Sequence, residues 1–206
     1  MKKPMLIVSL NPVDWLTLSG VWVAFASLYF AFEYQIAYAL SALYIAMLID
    51  AFDGILARKY GYESEFGRYL DSFVDVLDYL IVPGFIVYFW GFNGLLEAAL
   101  LVLVLCCGIL RLSVFNQTGN VKDESGNLAY LGMPVFWLNF ILGGAYILSW
   151  VLGQSIAFML LLFVYPIASF LMIFNGPFFK FSSINVIVGL VLGGAILFFV
   201  AGLLGG

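Results

Sequence analysis

Four aspartates, Asp50, Asp53, Asp71 and Asp75, stand close together in a chain that is 65% hydrophobic and 10% charged. Carboxylates in so apolar a setting are costly and need a partner or a function. The stretch reads Asp50-x-x-Asp53-Gly54-x-x-Ala57-Arg58, then eight residues, then Gly67-x-x-x-Asp71-x-x-x-Asp75. Asp50, Asp53 and Ala57 share one face of a helix, and Gly67, Asp71 and Asp75 share one face of another. Between them lies Lys59-Tyr60-Gly61-Tyr62-Glu63-Ser64-Glu65, polar and glycine-containing, which predicts a turn. Folding the chain there into an antiparallel pair brings Asp50 to about the depth of Asp75 and Asp53 to about the depth of Asp71, at ~1.5 Å of rise per residue. The four carboxylates then converge. Unpaired, they would repel one another. With one or two divalent cations all four can stay ionised, and oxygen-only ligands suit Mg²⁺ or Mn²⁺. The chain has no His and two Cys, which argues against zinc.

Gly54, Ala57 and Gly67 remove bulk where the two helices face each other, leaving a slot or letting the helices touch. Arg58 is a fixed positive charge at the mouth, suited to a phosphate. Small-residue packing would explain Gly54 alone, and a basic cytoplasmic anchor would explain Arg58 alone. Neither explains all eight positions at this spacing. At each of them the run resembles the signature of the CDP-alcohol phosphotransferase family. Its members are integral membrane enzymes that move a phosphoryl-linked group from a CDP-alcohol to a hydroxyl acceptor and release CMP. The resemblance implies that Asp50, Asp53, Asp71 and Asp75 are metal ligands or their neighbours, with Asp75 as general base. It also implies that Asp53, Gly54, Ala57, Arg58 and Gly67 shape the CDP-lipid site. Thr17 lies where the family often places a polar residue near the nucleotide; simple packing is the alternative.

A mean hydropathy of +1.10 over 206 residues predicts an all-α polytopic membrane protein. No polar linker divides it, so residues 1–206 read as a single membrane-embedded domain. Seven apolar spans are expected, at roughly 15–32, 35–57, 67–90, 95–115, 131–152, 155–174 and 184–204, with six or eight as alternatives. The segment before about residue 15 contains Asn11-Pro12, a helix-start turn, and reads as an interfacial arm. No small-residue cleavage site follows Met1-Lys2-Lys3, so no cleavable signal peptide is expected. With seven spans and a cytoplasmic N-terminus, Lys2, Lys3, Arg58, Lys59, Arg68, Arg111, Lys122 and Lys180 all fall on the cytoplasmic side, together with the polar 116–129 loop. The opposite loops, around Glu33, Phe92-Asn93 and Gly153-Gln154, carry no basic residue. The carboxylates then face the cytoplasm. Cys106 and Cys107 are adjacent, cannot sensibly bridge each other, and read as buried packing residues.

The acceptor is less constrained. Arg111-Leu-Ser-Val-Phe115-Asn116, Gly132-Met133-Pro134, Phe179-Lys180, Leu70-Asp71-Ser72 and Pro83 together resemble the phosphatidylserine (or archaetidylserine) synthase branch. One departure is plain: that branch usually has Ser-Phe-Gly shortly after the last aspartate, and here the chain reads Asp78-Tyr79-Leu80. Asp78 stands one turn beyond Asp75, as a further acid behind the ligands or as a partner for Arg111. A phosphorylated acceptor needs a basic pocket, whereas serine needs one cation for its carboxylate. The spare basic residues, Arg68, Arg111, Lys122 and Lys180, are few, and Asp123 and Glu124 would repel a phosphate. Arg111 is therefore the candidate for the serine carboxylate, or else a helix-end anchor. Asn116 is a candidate acceptor contact, or else a helix cap.

These features predict metal-dependent transfer of a phosphatidyl or archaetidyl group from CDP-diacylglycerol or CDP-archaeol to L-serine. The alternatives are inositol phosphate, glycerol phosphate, inositol or choline as acceptor. A cation transporter or channel is the competing class, and clustering of the acids near one face weighs against it. A prokaryotic cell membrane is the expected location, with membrane lipids as partners and no nucleic acid. Small-residue faces such as Gly143-Gly144 and Gly193-Gly194 would permit a homodimer. No aromatic residue is assigned to ligand stacking.

Overall fold

The computed structural model describes residues 7–119, 121–122, 128–179 and 184–205. Helix α1 (Pro12–Phe32) starts at a reciprocal cap: Asn11 accepts from the backbone of Val13 and Asp14, and the Asp14 carboxylate accepts from the Asn11 N–H. Pro12 at the first helical position suits this start. Helix α2 (Ile36–Tyr60) ends at Gly61, whose φ of 69° is the left-handed conformation that favours glycine. Arg58 and Lys59 in its last turn oppose the negative end of the helix dipole. Helix α3 (Glu65–Val76) begins at Ser64, whose hydroxyl accepts from the Gly67 N–H at 2.9 Å. The α2–α3 turn thus falls where the polar stretch predicts it.

A five-residue π turn, Leu77–Ile81, links α3 to α4 (Val82–Trp90), and the three run as one continuous helical segment, Glu65–Trp90. Helices α5 (Leu95–Thr118), α6 (Trp137–Leu152), α7 (Gln154–Ile173) and α8 (Ile184–Leu203) complete the bundle. Among the described residues six helical segments are long and apolar enough to cross a membrane, and α6 is a shorter apolar helix. The chain is therefore an all-α polytopic protein of the integral membrane type, with the seven expected apolar elements in the expected order.

Two expectations change in detail. The fifth span starts at Trp137 rather than near 131, because residues 128–131 pair as a strand. Strands β1 (Val121–Lys122), β2 (Leu128–Leu131) and β3 (Pro177–Phe178) form a small antiparallel sheet in the order β1-β2-β3. Gly132 follows at φ 76°, and a Cβ there would stand 2.7 Å from the Met172 carbonyl oxygen. The sheet ties the α5–α6 connection to the end of α7. At the N-terminus, residues 1–6, including Lys2 and Lys3, lie outside the described residues, and α1 begins at Pro12.

The core runs through the whole bundle: α1 and α8 pack on α2, α5 and α6 pack on α7, and the π turn and α4 contribute Tyr79, Leu80, Ile86 and Val87. Buried hydroxyls tie helices together in the manner of membrane bundles: Ser27 donates to the Ala39 carbonyl, Ser41 to that of Ala195 and Tyr44 to that of Asn139. Gly143 and Gly194 do not form a free face. A Cβ on either would run into the Tyr44 side chain, so they serve packing within the chain; Gly144 and Gly193 face open space. Leu80 seats on Gly108 in the same way. Cys107 is buried as expected. Cys106 is exposed, being on the outer side of α5.

Candidate active site

The antiparallel α2–α3 pair brings Asp50, Asp53 and Asp71 together, with one carboxylate oxygen of each within 4.8 Å of the others. Three of the four carboxylates that the spacing is expected to bring together thus converge. Asp75 is not in that group of three. It stands one turn along α3, facing Asp50. Two hydroxyls hold the group. Thr17 of α1 donates to Asp53 Oδ2 at 2.5 Å, and Tyr79 of the π turn donates to Asp50 Oδ2 at 2.6 Å. Thr17 thus does more than pack: it orients a carboxylate.

Two cavities meet at these acids. The larger, about 600 Å³, is lined by Asp53, Gly54, Ala57, Arg58, Gly67 and Asp71 of the signature, together with Thr17, Arg68 and Asn116. The helices keep it open because a Cβ on Gly67 would crowd the Ser64 hydroxyl at 3.1 Å, and one on Gly54 would approach the Arg58 guanidinium at 3.4 Å. Arg58 and Arg68 give it two fixed positive charges, beside the carboxylates of Asp14, Glu63 and Glu65. The smaller cavity, about 260 Å³, is lined by all four aspartates, Tyr79, Arg111 and Tyr130, with an apolar wall that includes Met47, Ile187 and Val191. Asp53, Gly54, Arg58 and Asp71 line both, so the carboxylates stand at the junction.

Arg111 is 3% exposed. Its guanidinium lies over the Phe115 ring at 5.4 Å, and its Nε has no hydrogen-bond partner. Tyr130, on the strand side of the smaller cavity, is pushed up from the ordinary phenol range by burial, while nearby Arg111 pulls it back. Asn116 accepts from the Ser72 hydroxyl at 2.9 Å and so braces α5 against α3. It lines the larger cavity and not the smaller one.

Asp78 departs from expectation. It is 1% exposed, its two carboxylate oxygens have no hydrogen-bond partner, and it does not pair with Arg111. Its Oδ2 lies 3.6 Å from where a Cβ on Gly20 of α1 would stand, and it lines neither cavity. The reason is side-chain direction within the π turn: Asp78 points to α1, whereas Tyr79 turns away from it and reaches Asp50. The sequence reading passed over Tyr79. Its place four residues after Asp75, continuing the row of Gly67, Asp71 and Asp75, is the signal that could have found it. Lys180, Asp123 and Glu124 lie outside the described residues, as does the side chain of Lys122.

The donor set fits a hard divalent cation: three convergent carboxylates from two helices, no nitrogen or sulfur ligand beside them, and hydroxyl donors that leave one oxygen of Asp50 and one of Asp53 free of those bonds.

Known proteins resemble this chain over much of its length. A family model described as CDP-alcohol phosphatidyltransferase matches residues 10–178. A CDP-diacylglycerol–serine O-phosphatidyltransferase of Helicobacter pylori is 31% identical over 121 residues, 58% of this chain and 50% of the relative. An archaetidylserine synthase of Methanothermobacter thermautotrophicus is 32% identical over 120 residues, 55% of this chain and 50% of the relative. A phosphatidylcholine synthase of Mesorhizobium japonicum is 31% identical over 133 residues, 61% and 46%. The chain spans about half the length of the curated relatives it matches. The family match takes in the whole carboxylate junction, the larger cavity and the smaller cavity apart from Ile187 and Val191, and by it this chain belongs to the CDP-alcohol phosphatidyltransferase family.

Proposed function

We propose that this protein transfers a phosphatidyl or archaetidyl group from a CDP-lipid to the hydroxyl of L-serine and releases CMP. The observation that carries the proposal is the junction: two cavities that share Arg58, the larger with Arg68 and the smaller with buried Arg111, meet at a single group of carboxylates. In this reading the larger cavity takes the CDP diphosphate, with Arg58 and Arg68 on its oxygens and Gly54, Ala57 and Gly67 leaving room for it. The smaller cavity takes serine, its carboxylate on Arg111 and its hydroxyl toward the acids.

Asp50, Asp53, Asp71 and Asp75 would hold the divalent cation. Mg²⁺ or Mn²⁺ bound there supplies charge neutralisation at the diphosphate. Asp75 lines only the smaller cavity, which supports its role as the base that takes the serine hydroxyl proton. The freed oxygen forms a bond to the phosphorus that carries the lipid alcohol. The bond from that phosphorus to the CMP oxygen breaks, and Arg58 stabilises the charge on the departing CMP. The apolar wall of the smaller cavity, Met47, Ile187 and Val191, suits lipid-chain carbons beside the carboxylates.

The chain works in this reading as one membrane-embedded unit of a prokaryotic cell membrane, with the junction and the N-terminus on the cytoplasmic side. Arg58, Lys59, Arg68 and Arg111 stand at the junction's end of the bundle, which supports that orientation. Gly144 and Gly193 remain open for a homodimer contact.

Mass spectrometry of the lipid made from CDP-diacylglycerol or CDP-archaeol with isotopically labelled serine tests the proposal. A labelled phosphodiester lipid supports it. Label absent from every lipid, with Mn²⁺ and both donors supplied, counts against serine as acceptor.

A further inference from the structure

Tyr79 belongs to neither the signature nor the acceptor contacts read from the sequence, yet its hydroxyl touches the carboxylate group directly. The phenol is 4% exposed and donates to Asp50 Oδ2 at 2.6 Å. That is a short hydroxyl–carboxylate hydrogen bond. The residue sits in the π turn immediately beyond α3, and single π turns inside helices recur at functional positions. The same device appears across the group, where Thr17 donates to Asp53 Oδ2. Two of the three convergent carboxylates are thus each held through one oxygen by a hydroxyl from a neighbouring element. Partners of this kind fix the orientation of a ligand and tune its affinity for metal.

We infer that Tyr79 is a positioning residue for the divalent cation: its hydroxyl occupies Asp50 Oδ2 and so presents Oδ1 to the metal. The inference rests on the reading that these aspartates hold a divalent cation. Phenylalanine at 79 would keep the ring packed in the π turn and remove one oxygen, so the substitution separates the donor from the packing. Asp50 without that donor is left with only the neighbouring carboxylates of Asp71 and Asp75 beside it, and an incoming cation must then order it.

The experiment is a Mn²⁺ titration of purified, substrate-free protein, read by electron paramagnetic resonance of the free ion, with metal-free melting curves alongside. Y79F is expected to bind Mn²⁺ about 10-fold more weakly, at the lower end of what loss of such a partner costs, with its metal-free melting midpoint close to that of the parent. Asp50→Asn is expected to lose more affinity than Y79F. Y79F with the affinity of the parent overturns the inference, whatever its melting midpoint. So does Asp50→Asn with the affinity of the parent, which also decides the matter if Y79F does not purify as a folded protein. A parent protein that binds no Mn²⁺ overturns the metal reading itself, and the inference with it.

Discussion

Replacing Arg111 with Met removes the fixed positive charge that lines the smaller cavity without lining the larger. At 3% exposure the guanidinium is shielded from solvent and salt, so a carboxylate placed on it forms a charge-assisted bond in low dielectric. Such a bond contributes about 1.5–3 kcal/mol. At ~1.4 kcal/mol per decade, the serine KM in Arg111→Met should rise about 10–150-fold. Arg111→Lys keeps the charge but loses the planar fork, and should fall between the two. The CDP-lipid KM should stay within about twofold, because Arg58 and Arg68 remain in the larger cavity. The assay is CMP release against serine concentration at saturating CDP-lipid and Mn²⁺, then the reverse titration. An unchanged serine KM in Arg111→Met, or a rise in the CDP-lipid KM in its place, would refute the assignment of the two cavities.

Asp50→Ala and Asp71→Ala should each abolish turnover and weaken Mn²⁺ binding, since both belong to the convergent group; full activity in either would remove the metal site from the account. Asp75→Asn should lower the rate by about 10²–10⁴-fold while changing CDP-lipid affinity much less, as loss of a general base does; an unchanged rate excludes it as base. Gly108→Val should destabilise the fold by about 1–3 kcal/mol, because a side chain there overlaps Leu80. Thermal melting should show the loss, and Gly84→Ala, with open space around its Cβ, should not.

Much of the site was legible because helical spacing is a geometric constraint. Two acids three residues apart and two more four residues apart, joined by a short polar turn, have few arrangements once both arms are helical. Asp50, Asp53 and Asp71 converge as that spacing requires. The hydropathy pattern likewise placed seven apolar elements. What stayed hidden depended on side-chain direction and on pairings distant in sequence. The rotation that sends Asp78 to Gly20 and Tyr79 to Asp50 turns on a fraction of a helical turn. The strand at Leu128–Leu131 was hidden inside an apolar run, and its partner Pro177–Phe178 lies far along the chain. Gly143 and Gly194 look like a dimer face in sequence; only packing shows that Tyr44 occupies the space they leave. The Ser72–Asn116 bond joins residues 44 positions apart, which no local pattern predicts.

The most direct test of the central claim is CMP release by the purified protein given CDP-diacylglycerol and Mn²⁺, with serine, choline, inositol, glycerol phosphate and inositol phosphate in separate reactions. The account predicts release with serine and none with the phosphorylated acceptors, which the single arginine confined to the smaller cavity could not balance. Release only with a phosphorylated acceptor would contradict the reading of the smaller cavity. Ion flux in liposomes with no CMP release from any acceptor would contradict the transferase account as a whole.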